Sequence, residues 1–370
     1  MNTIGKSLRL TLFGASHDSF VGCSIDGLPA GYAVSVEDIE NDLALRRPAA
    51  GIGTARHEDD IPAVSGLQNG CTTGAPVVIT FANSDVRSED YAAAEHIPRP
   101  GHADYPAFCK YGPAFDVRGG SFFSGRMTAP LVAAGGLLRG LLAANGIRVG
   151  SYVTKIGAVE DTGSYTPEEI FRVSRTNPLR AMSAELEMQM RAEILAAKSD
   201  GDSVGGAVRC VASGLPAGLG EPFFDSLDGE ISRAVFSVPG IKGVSFGEGF
   251  AAASLRGSEN NDEYECYGRY ECSGASSSAG AVRLSSNHSG GILGGMANGA
   301  PVVLDAVFKP TPSISRPQHS VNLVTLENTE ISVHGRHDAC IAPRGAIAVE
   351  AMMIFTIADM LFRGGFVCRR

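Results

Sequence analysis

Three histidines stand beside glycines or charged residues in segments suited to chemistry rather than packing. They are His17 in Phe13-Gly-Ala-Ser-His-Asp18, His102 in Arg99-Pro-Gly-His-Ala-Asp104 and His337 in Gly335-Arg-His-Asp-Ala-Cys340. Glycine lets backbone approach a ligand closely, and imidazole gives or takes a proton near neutral pH. Two glycine-rich loops accompany them, Val117-Arg-Gly-Gly-Ser-Phe-Phe-Ser-Gly-Arg126 and Asn287-His-Ser-Gly-Gly-Ile-Leu-Gly-Gly295. The first leads into an apolar helix, whose free N–H groups and dipole favour anions. It lacks a Walker lysine and Gly-x-Gly-x-x-Gly spacing, so neither a P-loop nor a dinucleotide fold is indicated. Read with the nearby arginines, these segments point to an enzyme with a large anionic ligand.

The elements that must position them are legible in outline. Strands are expected over 7–13 and 21–25, and a helix capped by Ser35 is stopped by Pro48. A strand follows within 74–82, and residues 83–126 read as turns carrying charge. A small-residue apolar helix spans about 129–144, and Thr166-Pro-Glu-Glu169 opens another. Leu186, Met190 and Ile194 mark an amphipathic helix over 183–198. A strand is expected over 204–211, an exposed polar loop over 259–286, and a packing helix over about 346–362. Ser24-Ile-Asp-Gly-Leu-Pro-Ala-Gly31 and Ala212-Ser-Gly-Leu-Pro-Ala-Gly-Leu219 share a strand, a turn and a following helix. The echo has two readings: halves related by an internal pseudo-twofold, or one good turn used twice.

The 370 residues suffice for two domains or one large intertwined one. A hydrophobic content of 44% against 19% charged residues is ordinary for a globular chain. The net charge of −9 argues against a nucleic-acid or anionic-membrane partner. No uninterrupted apolar stretch approaches the ~18–20 residues that span a bilayer. The eight cysteines are scattered without a Cys-x-x-Cys pair, so reduced thiols, no metal site and a cytoplasmic location are expected. The start of the chain has no secretory signal pattern.

Taken in order, Ile25-Asp-Gly-Leu-Pro-Ala-Gly31, Arg46-Arg-Pro48, Asn83-Ser-Asp-Val-Arg-Ser88, Arg99-Pro-Gly-His-Ala-Asp104, Lys110-Tyr-Gly112, Ser213-Gly-Leu-Pro-Ala-Gly-Leu-Gly220, Ser286-Asn-His-Ser-Gly-Gly291, Lys309-Pro-Thr311 and Gly335-Arg-His-Asp338 resemble chorismate synthase from Gly5 to about Phe362. The resemblance implies an α+β fold, a β-α-β sandwich forming a single large domain, in which 259–286 is an insertion longer than usual. It also implies a homotetramer. The implied reaction is the 1,4-elimination of phosphate and a ring hydrogen from 5-enolpyruvylshikimate 3-phosphate, giving chorismate. The implied cofactor is reduced flavin mononucleotide (FMN), although no net redox change occurs. NADPH or a separate flavin reductase would supply the reducing equivalents, and no motif decides between them.

Carried over by position, His17 resembles the acid at the departing phosphate, and His102 the histidine that protonates or neutralises the reduced flavin. Asp338 resembles the carboxylate that acts with the flavin in removing the ring proton. Arg46, Arg99 and Arg126 stand at substrate-contact positions. Flavin contacts fall on Phe122, Phe123, Ser124, Pro239, Gly240, Gly294, Lys309, Pro310, Thr311, Pro312, Ser313 and Arg336. The chain departs from the family pattern at Asp18, where glycine is usual, and at Ile52, Phe122 and Leu131, where arginines are usual. Arg56 could serve in place of the residue missing at 52. Each lost charge-assisted contact would cost about 1.5–3 kcal/mol without compensation. The alternative reading is therefore a divergent paralogue that binds flavin or a phosphorylated acid with little turnover.

Overall fold

The computed structural model describes residues 2–49, 51–53, 62–83, 96–266, 282–333 and 337–367. Alternating apolar positions build two five-stranded antiparallel sheets. The first holds β1 (Thr3–Ile4), β2 (Arg9–Gly14), β3 (Phe20–Asp26), β4 (Ala63–Ser65) and β5 (Val77–Ala82), in the order β1-β2-β3-β5-β4. The second holds β6 (Arg148–Ile156), β7 (Val159–Glu160), β8 (Gly206–Ser213), β9 (Ile241–Phe246) and β10 (Val302–Phe308), in the order β9-β10-β8-β6-β7. In β5, Val77, Ile79 and Phe81 are buried while Val78 and Thr80 are only partly so, the period-two pattern of a strand with one face on the core.

Between the sheets lies a layer of helices. These are α1 (Val36–Arg46), α3 (Thr128–Ala144), α6 (Leu227–Val235) and α7 (Ala342–Arg363). Helix α3 packs on α1, α7 and the first sheet, while α7 packs on α6 and the second sheet. The smaller helices are α2 (Asp104–Tyr111), α4 (Pro167–Val173) and α5 (Ala184–Ser199). The sequence signals set the ends as expected. Ser35 Oγ accepts from Asp38 N at 3.0 Å, and Thr166 with Glu169 forms a reciprocal capping box. The architecture is the β-α-β sandwich of mixed helix and sheet.

Two expectations need correction. Residues 125–144 and 342–363 are long and apolar enough to cross a bilayer, with mean hydropathies of 1.4 and 1.8 over their most apolar windows. The 342–363 helix is wholly enclosed and the other mostly so, which makes them the helical core of a sandwich covered on both faces. Residues 83–126 also contain more than turns: α2 runs from Asp104, and short 3₁₀ turns carry the chain on to α3. Two helical turns are too short for periodicity to reveal. Within 259–286, Tyr264–Cys266 and Val282–Leu284 pair as an exposed ribbon, and residues 267–281 lie outside the described residues.

One buried ionic cluster joins the helix layer to the second sheet. Glu350 of α7 receives Arg139 of α3 at 2.7 Å, Arg180 at 2.8 Å and Arg175 at 3.0 Å. Ser151 of β6 donates to it at 2.8 Å. Asp42 of α1 pairs with Arg139 at 2.7 Å and also with Arg175. Burial alone would raise the Glu350 carboxyl, but the three guanidinium groups hold it below the ordinary glutamate range.

Both Gly-Leu-Pro-Ala-Gly turns begin with a glycine at positive φ, Gly27 at 96° and Gly214 at 83°. A Cβ at Gly27 would collide with the carbonyl oxygen of Ser7, and one at Gly214 with that of Gly146. Each of those carbonyls stands two residues before its strand. Glycine is required twice for the same steric reason.

Candidate active site

The site is organised by the segment between Arg118 and Thr128. Gly119 and Gly120 are consecutive residues at positive φ, 58° and 80°. A Cβ on Gly119 would overlap the His17 imidazole, and one on Gly120 would lie 2.9 Å from His102 Cε1 and 3.0 Å from its Nε2. Two histidines 85 positions apart in sequence therefore lean on neighbouring glycines. The His17 turn is pinned from both sides. Ser16 N donates to Ser121 O at 3.2 Å, and Asn83 Nδ2 donates to Asp18 O at 2.8 Å and Ala15 O at 3.2 Å.

His102 is oriented by Asp104, whose Oδ1 lies 2.6 Å from His102 Nδ1. That contact makes Nδ1 the donor and leaves Nε2, on the Gly120 side, to exchange a proton. Asp104 also takes Arg99 Nε at 2.7 Å, Arg99 Nη2 at 2.9 Å and Arg99 N at 3.0 Å. Burial would raise this carboxyl, yet hydrogen bonds and charge from Arg99 and His102 hold it well below the usual range. Asp104 belongs to a motif visible in the sequence, two residues after His102, but its clamping role emerges only in three dimensions.

The arginines are held by protein groups. Arg46 Nε donates to Thr128 Oγ1 at 2.8 Å and Nη2 to Gly125 O at 3.2 Å. Arg126 Nε donates to Asn83 Oδ1 at 3.0 Å and Nη2 to Ala82 O at 3.2 Å. Arg99 gives Nε and Nη2 to Asp104, leaving Nη1 for a ligand. Asp338 pairs with Arg344, whose Nε donates to Arg46 O at 2.9 Å, and a Cβ on Gly53 would strike the Asp338 carboxylate. Arg344, a connector from Asp338 to α1, carried no sequence signal.

Two of the segments expected to hold the flavin, 239–240 and 309–313, are joined to each other. Lys309 N donates to Gly240 O at 3.0 Å, joining Pro239-Gly240 to Lys309–Ser313. Lys309 Nζ donates to Gly101 O, beside His102, and Gly101 faces Pro312. Ser203 Oγ holds Thr311 O at 2.7 Å, while the Thr311 hydroxyl is buried with no partner. Phe122 and Phe123 pack with Tyr111 and Phe115, with ring centroids 4.5–6.3 Å apart. An orphaned hydroxyl, a lysine and an aromatic wall fit a phosphorylated ring system such as FMN. Gly294 lies elsewhere: the hairpin carrying it contacts Leu219, Glu221 and Ser226. Arg336 and Arg56 lie outside the described residues.

The departures from pattern become intelligible. Ile52 is 3% exposed and Leu131 2%, both within the main core. Where the resemblance leads one to expect arginines, this chain has packing side chains. Phe122, 41% exposed, joins the aromatic cluster instead of presenting charge. A separate cleft of about 560 Å³, bordered by Asn41, Arg139, Arg148, Phe171 and Arg175, includes none of the residues assigned to chemistry.

The sequence pattern of chorismate synthase matches residues 8–362. Chorismate synthases from Korarchaeum cryptofilum (43% identity, 97% of both chains) and Dehalococcoides mccartyi (42%, all of this chain and 98% of that one) are similar throughout. That of Methanosarcina barkeri is 42% identical over 99% of this chain and 97% of its own. A crystal structure of chorismate synthase aligns with a TM-score of 0.75 at 26% identity, covering 98% of this chain and 93% of that one. The chain belongs to the chorismate synthase family. It is a lyase, and the family's reaction is the formation of chorismate in the shikimate pathway.

Proposed function

We propose that the groove beside Gly119-Gly120 holds reduced FMN against 5-enolpyruvylshikimate 3-phosphate, and that His17, His102 and Asp338 move the protons. The reaction breaks an allylic C–O bond and a ring C–H bond and forms a C=C bond. Phosphate and a proton leave, with no net gain or loss of electrons. Reduced flavin, when bound, lends the electron density that an ordinary side-chain base cannot supply. His17 protonates the departing phosphate. His102, its Nδ1 committed to Asp104, presents Nε2 toward the cofactor side. Asp338 receives the ring proton, with Arg344 holding its second oxygen. Arg46, Arg99 and Arg126 make the receiving wall cationic toward two carboxylates and a phosphate. Phe122, Phe123, Ser124, Pro239, Gly240 and Lys309 to Ser313 hold the flavin. The observation that carries the reading is the meeting of His17 and His102 on adjacent glycines.

Anaerobic assay with chemically reduced FMN tests it: chorismate should form, and His17→Ala or His102→Ala should lower kcat about 10²–10⁴-fold. Tight flavin binding without turnover would instead favour the paralogue reading. Replacing the reduced flavin by oxidised FMN plus NADPH distinguishes self-reduction from dependence on a partner reductase. The proposed setting is a cytoplasmic homotetramer forming one domain per chain. Gly294 lies on the hairpin before the end of β10 opposite Lys309, roughly 20 Å away at strand rise, and is left out of the proposed flavin contacts. Sedimentation at several protein concentrations checks the tetramer.

A further inference from the structure

The separate cleft of about 560 Å³ has the size of a small-molecule site. Helix α1 lends it Asp38, Asn41 and Leu45, α3 lends Arg139 and Leu142, and β6 lends Arg148 at its first residue. Phe171 of α4, Arg175 just beyond that helix and Ile354 of α7 complete the wall. Three of the lining side chains are guanidiniums and one is a carboxylate, in a chain whose formal charge is −9. Cations gathered in a concavity against the sign of the whole chain favour an anion there.

The three arginines are not alike. Arg139 spends Nε, Nη1 and Nη2 on Asp42, the Val149 carbonyl and Glu350. Arg175 gives Nη1 to Glu350 and Nη2 to Asp42, while its Nε makes no hydrogen bond among the described residues. Arg148 makes neither a hydrogen bond nor an ion pair among them. Its guanidinium carbon stands 4.5 Å from the centroid of the Phe171 ring. Resting on that ring holds the side chain in place with all five N–H groups unspent. Asp42 and Glu350 do not cancel this charge, being buried and already shared among Arg139, Arg175 and Arg180.

The rest of the lining narrows the ligand. Leu45, Leu142, Phe171 and Ile354 offer surface that cannot hydrogen-bond. An inorganic anion would leave that surface wet, and a neutral hydrocarbon would leave Arg148 unpaired. Asp38 in the same wall repels a second negative charge. A guanidinium fork matches one carboxylate in two parallel bonds.

We infer that the cleft binds a small monocarboxylic acid with an apolar ring, its carboxylate on Arg148 and its ring on the apolar wall. The inference stands apart from the proposed function, because none of these residues enters it.

Calorimetric titration of the full chain with benzoate, benzamide and inorganic phosphate tests it. Benzoate should bind saturably at millimolar concentration, about tenfold more tightly than either of the others. Arg148→Ala should weaken benzoate about tenfold and leave benzamide unchanged. Arg148 is exposed, so the variant should keep the wild-type thermal midpoint. The candidate active site is cationic too, and Arg99→Ala supplies the control: benzoate binding should be unaltered. Benzoate that fails to saturate, or that binds no better than benzamide, overturns the inference. So does benzoate binding that survives Arg148→Ala or is lost with Arg99→Ala. Phosphate binding as tight as that of benzoate overturns the ring acid as ligand.

Discussion

Residues 9–144 and 148–363 repeat one plan with different additions. Each half runs through an antiparallel strand pair, a Gly-Leu-Pro-Ala-Gly turn, a helix, an outer strand, a small hairpin, an inner strand and a long helix. The hydrogen bonds repeat as well. Gly31 N to Thr72 O (2.7 Å) and Thr72 N to Tyr32 O (2.8 Å) match Gly218 N to Ala297 O and Ala297 N to Leu219 O, both 2.8 Å. Gly74-Ala-Pro-Val-Val78 enters β5 as Gly299-Ala-Pro-Val-Val303 enters β10.

The halves differ in what interrupts this plan. A tight turn carrying His17 joins β2 to β3, whereas residues 157–205 with α4 and α5 join β6 to β8. Strand β4 passes directly into the hairpin at Gly66, but residues 248–289 separate Gly247 from Gly290, which still touch. At the base of that excursion Asp262 accepts from Ser286 Oγ and His288 N at 2.7 Å and Ser289 N at 2.9 Å. The difference teaches that packing is duplicated while the residues proposed for chemistry are not. His17, Arg46, Arg99, His102 and Arg126 come from the first half, and Lys309 to Ser313 and Asp338 from the second. The two groups meet through Lys309 at Gly101 and through Arg344, which joins Asp338 to Arg46.

Glu350→Gln strikes the seam between the halves. Leaving Arg180 without a carboxylate, and Arg139 and Arg175 with Asp42 alone, should cost about 3–5 kcal/mol, read by chemical denaturation. A loss below about 1 kcal/mol would mean the halves do not depend on this cluster. His17→Ala and His102→Ala sharpen the separation of packing from chemistry: turnover should fall while the thermal midpoint stays within a few degrees. Parallel collapse of both quantities would show that the repeated frame needs these side chains.

Gly27→Ala and Gly214→Ala ask whether the two turns are equivalent. Both should destabilise, each by more than about 2 kcal/mol, because a Cβ meets backbone at positive φ. A severe effect at one and none at the other breaks the equivalence. Asp104→Asn should cost on the order of 2 kcal/mol at neutral pH. The Asp104 carboxyl is depressed in the folded state, so its contribution is complete above the unfolded aspartate value and lost as pH falls toward the folded one. The gap in thermal midpoint between wild type and Asp104→Asn should therefore narrow below about pH 4. A gap that widens on acidification contradicts the assignment. Smallest of all, joining Cys266 to Val282 by an Asn-Gly turn should change stability by less than about 0.5 kcal/mol, since these residues face each other across the ribbon and the first half has no such excursion.

Much of the frame was legible because apolar spacing and caps determine it: α1, α3, α5, β5 and the start of α4 fall where periodicity and capping residues put them. Short elements such as α2 were not, because two turns leave too few repeats. The Gly-Leu-Pro-Ala-Gly turns carry one echo between the halves, and Gly-Ala-Pro-Val-Val carries a second. Motifs brought His17, His102 and Asp338 forward but gave no hint of their separations. Ile52 and Leu131 read as missing charges in sequence and as core in structure, since only burial distinguishes a lost contact from a filled space.

The adjacency of Gly119 and Gly120 makes the chain itself a spacer. Successive α-carbons across a trans peptide are ~3.8 Å apart whatever the surrounding sheets do, so breathing of the sandwich leaves the two glycines that face His17 and His102 at one spacing. Lengthening that loop by a single residue would separate them more surely than loosening any contact in the core.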